Sequence, residues 1–395
     1  MMAANRFVQR ANAMREELVS TRRDLHAHPE LGFEEVRTAG IVAQRLTSLG
    51  LEVRTGVGKT GVVALLEGDH DGPTVLVRAD MDALPILEDN DVPYRSQSDG
   101  RMHACGHDGH TAIGLGVAGM LAAEREKLHG RVKFVFQPAE EIAAGAAAMI
   151  ADGALSDPRP DVTVGLHLWN SLPVGKLGVA DGPMMAGSLT FVVRVRGKGA
   201  HAASPQHSAD PVVAAAHVLT ALQSIVSRNV DPFETIVISA TTLRAGDAFN
   251  VIPEYAEFTG TVRYFKDAVC QLAVRRMEEV VTGVAQALGC TGELTVTHKS
   301  VPVVNNPDVG RRLRARFAEI VGAENLDMTI RTMGAEDVGL FMVDIPGMYF
   351  FVGAQDMTQD AYYAHHHPRF SVNEDALPLA AGLLATAVAE YVLPE

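Results

Sequence analysis

Four apolar runs rich in β-branched residues, at positions 61–66, 74–79, 131–136 and 162–166, constrain this chain most, because helix-patterned stretches such as 111–126 interrupt them. That alternation predicts an α/β fold with a mostly parallel sheet covered by helices. Helical periodicity over 6–28 and again over 38–49, where Gly50 stands as a stop, places two amphipathic helices at the start.

From about position 182 the texture changes. A strand at 189–195, a helix at 211–226, strands at 235–244 and 254–264, a helix at 268–288 and a strand near 292–297 make a β-α-β-β-α-β unit of ferredoxin-like type. Beyond 302 come a helix at 309–321, a short segment at 333–341, a strand at 348–352 and a closing helix at 375–392. At 395 residues the chain exceeds the usual size of one core. The expected division is therefore a main domain in two parts, 1–182 and 297–395, with 183–296 inserted between them.

The apolar runs lead into residues that carry chemistry. Cys105 and His107, two apart, cannot share a helix face and suit a loop, which Gly106 and Gly109 loosen. A thiolate and an imidazole together are ligands for Zn or another borderline-soft divalent ion, and a buried thiol beside solvated histidines is the competing reading. Glu140 and Glu141 follow the run ending at Phe136, where Pro138 stops the ladder. The carboxyl edge of an open parallel sheet is where sites assemble. Adjacent acids point in different directions, so one can bind metal while the other holds water as general base. His167 ends the run at 162–166, and His365, His366 and His367 stand together near the C-terminus. Of Asp80 and Asp82, at a further strand end, Asp80 is taken as the one that orients a ligating histidine from behind. Taken together, His, Cys or carboxylate at several strand ends is what a dinuclear metal site demands.

Composition excludes other classes. A formal charge of −14 and no Lys/Arg run longer than two residues argue against nucleic-acid binding. The longest uncharged apolar run, 111–123, is short of the roughly 20 residues that span a bilayer, so no membrane partner is expected. The first 25 residues are studded with Arg and Glu and lack a secretory apolar core, so a cytoplasmic location is expected. Three cysteines are too few and too odd for a disulfide framework.

Five motifs now stand in order: Leu25-His26-Ala27-His28-Pro29-Glu30-Leu31-Gly32-Phe33-Glu34-Glu35, Arg78-Ala79-Asp80-Met81-Asp82-Ala83-Leu84-Pro85, His103-Ala104-Cys105-Gly106-His107-Asp108-Gly109-His110-Thr111, Gln137-Pro138-Ala139-Glu140-Glu141 and Met333-Gly334-Ala335-Glu336-Asp337. With them, nearly the whole chain resembles the aminoacylase, hippurate hydrolase and auxin-conjugate amidohydrolase family of co-catalytic dinuclear metallopeptidases. The resemblance implies a zinc-exopeptidase-like catalytic domain carrying an inserted lid through which homodimers or higher oligomers form. It implies two divalent ions per subunit, Mn, Zn, Co or Ni, held by Cys105, His107, Glu141, His167 and His366, with Cys105 bridging and Glu140 as base. His366 is chosen because it begins the His-x-Pro-x-Phe pattern of the family. In the lid, His201 would stabilise the oxyanion in the partner subunit's site, while Asn250 and Arg263 would hold the substrate carboxylate.

The implied reaction is hydrolysis of an N-acyl-L-amino acid to a carboxylate and a free amino acid. A dipeptidase or carboxypeptidase with the same site is the alternative, and a catalytically idle metal-binding relative is the reading from another class. The chain departs from the family's pattern at Ile142, where Gly is frequent, and at Val338, where an aromatic residue is usual.

Overall fold

A computed structural model describes residues 5–393. Its backbone falls into two compact units, one made of the chain up to Met184, Val303–Arg331 and the chain from Asp337 onward, the other of Met185–Pro302 with Thr332–Glu336.

The first unit is organised by an eight-stranded sheet. Its strands include β1 (Glu52–Val57), β2 (Gly61–Glu67), β3 (His70–Asp80), β4 (His129–Gln137) and β5 (Val162–Trp169). The spatial order is β1, β2, β4, β3, β5, then Gly347–Gly353, Leu177–Gly178 and Leu326–Asp327. The middle of the sheet, β4-β3-β5 and Gly347–Gly353, is parallel, while β1 and β2 add antiparallel pairs at one side. Burial explains the parallel centre: every residue of Gly347–Gly353 is buried, as are all of β5 but its last, so these strands read as continuous apolar runs.

Helices cover this sheet: α1 (Arg6–Ala13), α2 (Arg15–Ala27), α3 (Val36–Ser48), α4 (His107–Ala122) and the closing helix Ala376–Val392 among them. The helix expected over 6–28 is broken at Met14, whose N–H reaches the carbonyls of Arg10 and Ala11. The break serves two docking surfaces, since α1 packs chiefly on the closing helix and α2 on α4. Periodicity on either side of Met14 is helical, so the sequence pattern does not reveal the interruption. No helix among the described residues is long and apolar enough to cross a membrane.

The second unit is an antiparallel sheet in the order Thr291–Ser300, Gly182–Arg196, Tyr255–Tyr264, Ile236–Ala245, with helices Pro211–Arg228 and Asp267–Ala287. The strand Tyr255–Tyr264 shows the pattern expected of one covered face, with Ala256, Phe258, Gly260, Val262 and Tyr264 buried and their neighbours partly open or exposed. Its core joins Phe191, Phe258, Val218, Leu222 and Met277 from both layers.

Candidate metal centre

The site is assembled where the parallel strands of the first unit end. Gly106, in the left-handed region at φ 98°, turns the chain so that Cys105 precedes α4 and His107 begins it. The His107 Nδ1–H donates to the Asp82 carbonyl at 2.9 Å and lies 3.3 Å from Asp82 Oδ1. Nε2 therefore faces the other way, 3.9 Å from both Glu140 Oε2 and Glu141 Oε1 and 3.5 Å from Asp80 Oδ2. It is buried and has no hydrogen-bond partner. Burial alone would lower the pKa of His107, but the charges of Asp80, Asp82 and Glu141 push it up to about 10. Carboxylates converging on one buried nitrogen create a demand for a cation there.

The acids come from the turn after β4. Ala139 adopts φ 52°, sparsely populated for a residue with a side chain, and directs Glu140 and Glu141 back toward His107. Asp82 Oδ2 accepts the Glu141 N–H at 3.0 Å, so Asp82 braces the histidine through its backbone carbonyl and the acid through its carboxylate. Glu141 Oε1 is buried without a hydrogen-bond partner, and Glu141 Oε2 lies 3.2 Å from His366 Nε2. His366 also has a left-handed backbone, φ 68°, fixed by its N–H donating to the Ala104 carbonyl at 2.8 Å. From β5, His167 Nδ1–H donates to the Leu168 carbonyl at 2.8 Å, which leaves Nε2 3.5 Å from Cys105 Sγ. Burial, then the neighbouring His110 and His365, hold His167 well below the usual imidazole range, so it stays neutral and keeps a lone pair to give.

Ligand atoms of Cys105, His107 and His167 lie within 4.8 Å of one another, as do those of Cys105, Glu141 and His366, and those of His107, Glu140 and Glu141. Thiol, imidazole and carboxylate donors with buried, unpartnered His107 Nε2 and Glu141 Oε1 fit divalent ions. The expected ligand residues and Glu140 thus share one cluster. Asp80 takes His110 Nδ1 at 2.6 Å and the Arg78 guanidinium at 2.6 Å and lies 3.5 Å from His107 Nε2, while the Asp82 carbonyl holds the rear nitrogen of His107. His110 in turn accepts the Leu168 N–H at 2.9 Å, and so ties α4 to β5. His365 Nε2 is 3.2 Å from the Leu168 carbonyl, and His367 Nδ1 accepts the Arg369 N–H at 3.0 Å.

Within the second unit, His201 and Asn250 are neighbours in a small two-stranded pairing. His201 opposes Val251, and the Ala202 N–H donates to the Asn250 carbonyl at 3.0 Å. Both side chains are exposed. Arg263 lies on Tyr255–Tyr264, half-buried, with its guanidinium on the Thr261 hydroxyl. Of the departures from the family's pattern, Ile142 is 53% exposed and Val338 is buried.

The sequence profile of peptidase family M20/M25/M40 matches residues 76–390, most of the chain. The chain belongs to that family. Among M20 relatives, N-acetylcysteine deacetylase of Bacillus subtilis is 39% identical over 93% of this chain and 95% of the relative. IAA-amino acid hydrolase ILR1-like 2 of Arabidopsis thaliana is 38% identical over 95% of this chain and 85% of its own. Thermostable carboxypeptidase 2 of Saccharolobus solfataricus is 37% identical over 92% of each chain. The crystal structure of Bacillus subtilis YXEP, described as a dinuclear metal-binding peptidase of the M20 family, aligns with a TM-score of 0.83 at 36% identity, covering 95% of this chain and 98% of that one. As an M20 protein with this donor cluster, the chain is a metal-dependent hydrolase acting on amide bonds.

Proposed function

We propose that this M20 hydrolase cleaves N-acyl-L-amino acids, such as N-acetyl or N-benzoyl derivatives, to a carboxylate and a free amino acid. The observation that carries the reading is Glu140, buried beside the donor cluster with Oε2 3.9 Å from His107 Nε2. The relatives named for N-acetylcysteine and for IAA-amino acids support the choice of N-acyl amino acids.

In this reading Cys105, His107, Glu141, His167 and His366 hold two divalent ions, and Cys105, like His107 and Glu141, belongs to more than one donor group. When bound, such ions polarise the amide carbonyl and make a neighbouring water more acidic. Glu140 removes a proton from the attacking water as its oxygen bonds to the carbonyl carbon. The same carboxyl then gives that proton to the amide nitrogen as the C–N bond breaks. His201 stabilises the developing oxyanion in the partner subunit's site, and Asn250 and Arg263 bind the substrate carboxylate. The inserted unit serves as lid and dimerisation surface.

A second reading, cleavage of a C-terminal peptide bond, is favoured by the carboxypeptidase relative. Assaying N-acetyl, N-benzoyl and aminoacyl derivatives of the same amino acids, with each of Mn, Zn, Co and Ni, separates the two. Turnover of the N-acyl compounds with the aminoacyl compounds inert is the expected result. The reverse preference would replace the first reading with the second.

A further inference from the structure

The segment that precedes α3 lies outside the metal cluster, yet it grips the turn that carries the acids. The Glu35 side chain is buried, with Oε1 accepting the Ala139 N–H at 2.8 Å and Oε2 accepting the Thr60 hydroxyl. Ala139 is the left-handed residue immediately before Glu140. A residue with a Cβ stays in that region only when its surroundings hold it there. Its carbonyl is held as well, by the N–H groups of Ala144 and Gly145 at 3.2 and 3.1 Å.

The same segment reaches the exit of β3. Leu31 bridges to Ala83, and the Ala83 N–H donates to the Glu30 carbonyl at 2.8 Å, next to the Asp82 that braces His107 and Glu141. Gly32 lies flat against the acid turn: a Cβ there would sit 3.0 Å from Ala139 Cα and 3.1 Å from Ala139 Cβ. Burial pushes the Glu35 carboxyl pKa up, a cost that an apolar residue would avoid.

We infer that Glu35 is a positioning residue for amide hydrolysis, holding Ala139 so that Glu140 and Glu141 meet the cluster in register. The inference rests on the roles proposed for Glu140 and Glu141. Glu35 touches neither substrate nor donor atoms; it acts through one backbone N–H. Misplacement of a reacting group by about 1 Å costs about 10²-fold in rate, which sets the size of the effect.

The test compares the Co²⁺-loaded full chain with Glu35→Ala, Glu35→Gln and Gly32→Ala, each checked for folding. Glu35→Ala is expected to lower kcat by about 10²-fold with KM within about threefold, and to shift the visible Co²⁺ absorption bands as Glu141 moves. Glu35→Gln keeps an acceptor for the Ala139 N–H and should recover kcat to within about tenfold of the parent, with the parent spectrum. Gly32→Ala, which presses on Ala139 while leaving Glu35 in place, should lower kcat by about tenfold and shift the spectrum. If Glu35→Ala does not fold, the other two variants decide. Equal losses in the Gln and Ala variants, or parental kcat and spectrum in Gly32→Ala, would overturn the inference. Failure of the parent to hydrolyse any N-acyl amino acid would instead count against the proposed substrate, while the Co²⁺ spectra still report on Glu35.

Discussion

Asp108 and His107 are adjacent in the first turn of α4, both buried, and they belong to different kinds of polar cluster. Asp108 Oδ2 meets the Arg22 guanidinium and His26 Nδ1, each at 2.8 Å, while His26 Nε2 meets Glu88 at 3.0 Å and Arg22 reaches Glu374 at 3.2 Å. Burial opposes charge at Asp108, but Arg22 and His26 hold it well below the usual carboxylate range, so this cluster is a paired ionic network. One residue earlier, His107 Nε2 and Glu141 Oε1 are buried with no hydrogen-bond partner. Both clusters mix imidazole with carboxylate, but one adds an arginine and the other a thiol. Asp108 Oδ1 is also buried without a hydrogen-bond partner, so what separates the two clusters is the permanent Arg22 cation that meets Asp108, where Glu141 meets only the imidazoles of His107 and His366 among its ion-pair contacts.

The largest expected effect is at the working side. Glu140→Gln should keep its metal by elemental analysis and lose about 10³-fold in kcat, and near-parental turnover would remove the base role. On the paired side, Arg22→Met leaves Asp108 buried against a neutral neighbour and should cost about 3–5 kcal/mol in denaturant unfolding. If that variant unfolded like the parent, the ionic network would not be the anchor of the start of α4. Asp82→Ala removes the carboxylate that braces Glu141, and metal affinity should fall by about 10–100-fold in equilibrium dialysis.

The smallest effect is graded with pH. His107 in the metal-free protein holds its proton up to about pH 10, and a ligating nitrogen must lose it. Metal affinity should therefore rise by about tenfold per pH unit from roughly pH 7 to 9. The sign for stability is opposite. Because the folded pKa of His107 lies above the unfolded value of about 6.5, its contribution to metal-free stability is full below about pH 6.5. That contribution is lost as pH rises through about 10. A pH-independent metal affinity would show that His107 is not displaced of its proton on binding.

The central strands were legible because burial on both faces turns them into uninterrupted apolar runs, as in Val162–Trp169. The edge strand Glu52–Val57 was not, since it is exposed along most of its length and pairs through backbone groups that carry no sequence signature. The donor residues were legible as types and as an order along the chain. Which aspartate serves His107 was not: β3 ends at Asp80, so Asp82 lies beyond the ladder and escapes the two-residue periodicity that would give the pair a common face. Glu35 stood inside a recognised motif, but nothing in that motif points to Ala139, more than a hundred positions on.

By itself the sequence determined that strands must alternate with helices, that His, Cys and carboxylate side chains fall just past their ends, and which family the motifs resemble. The tertiary structure decided which of those groups are paired and which are left facing one another. The physical reason is that hydrogen-bond satisfaction depends on where segments distant in the chain come to rest, His107 with Asp82 and Glu141, Asp108 with Arg22 and His26. Periodicity fixes the face a residue lies on, and packing fixes the partner it meets there.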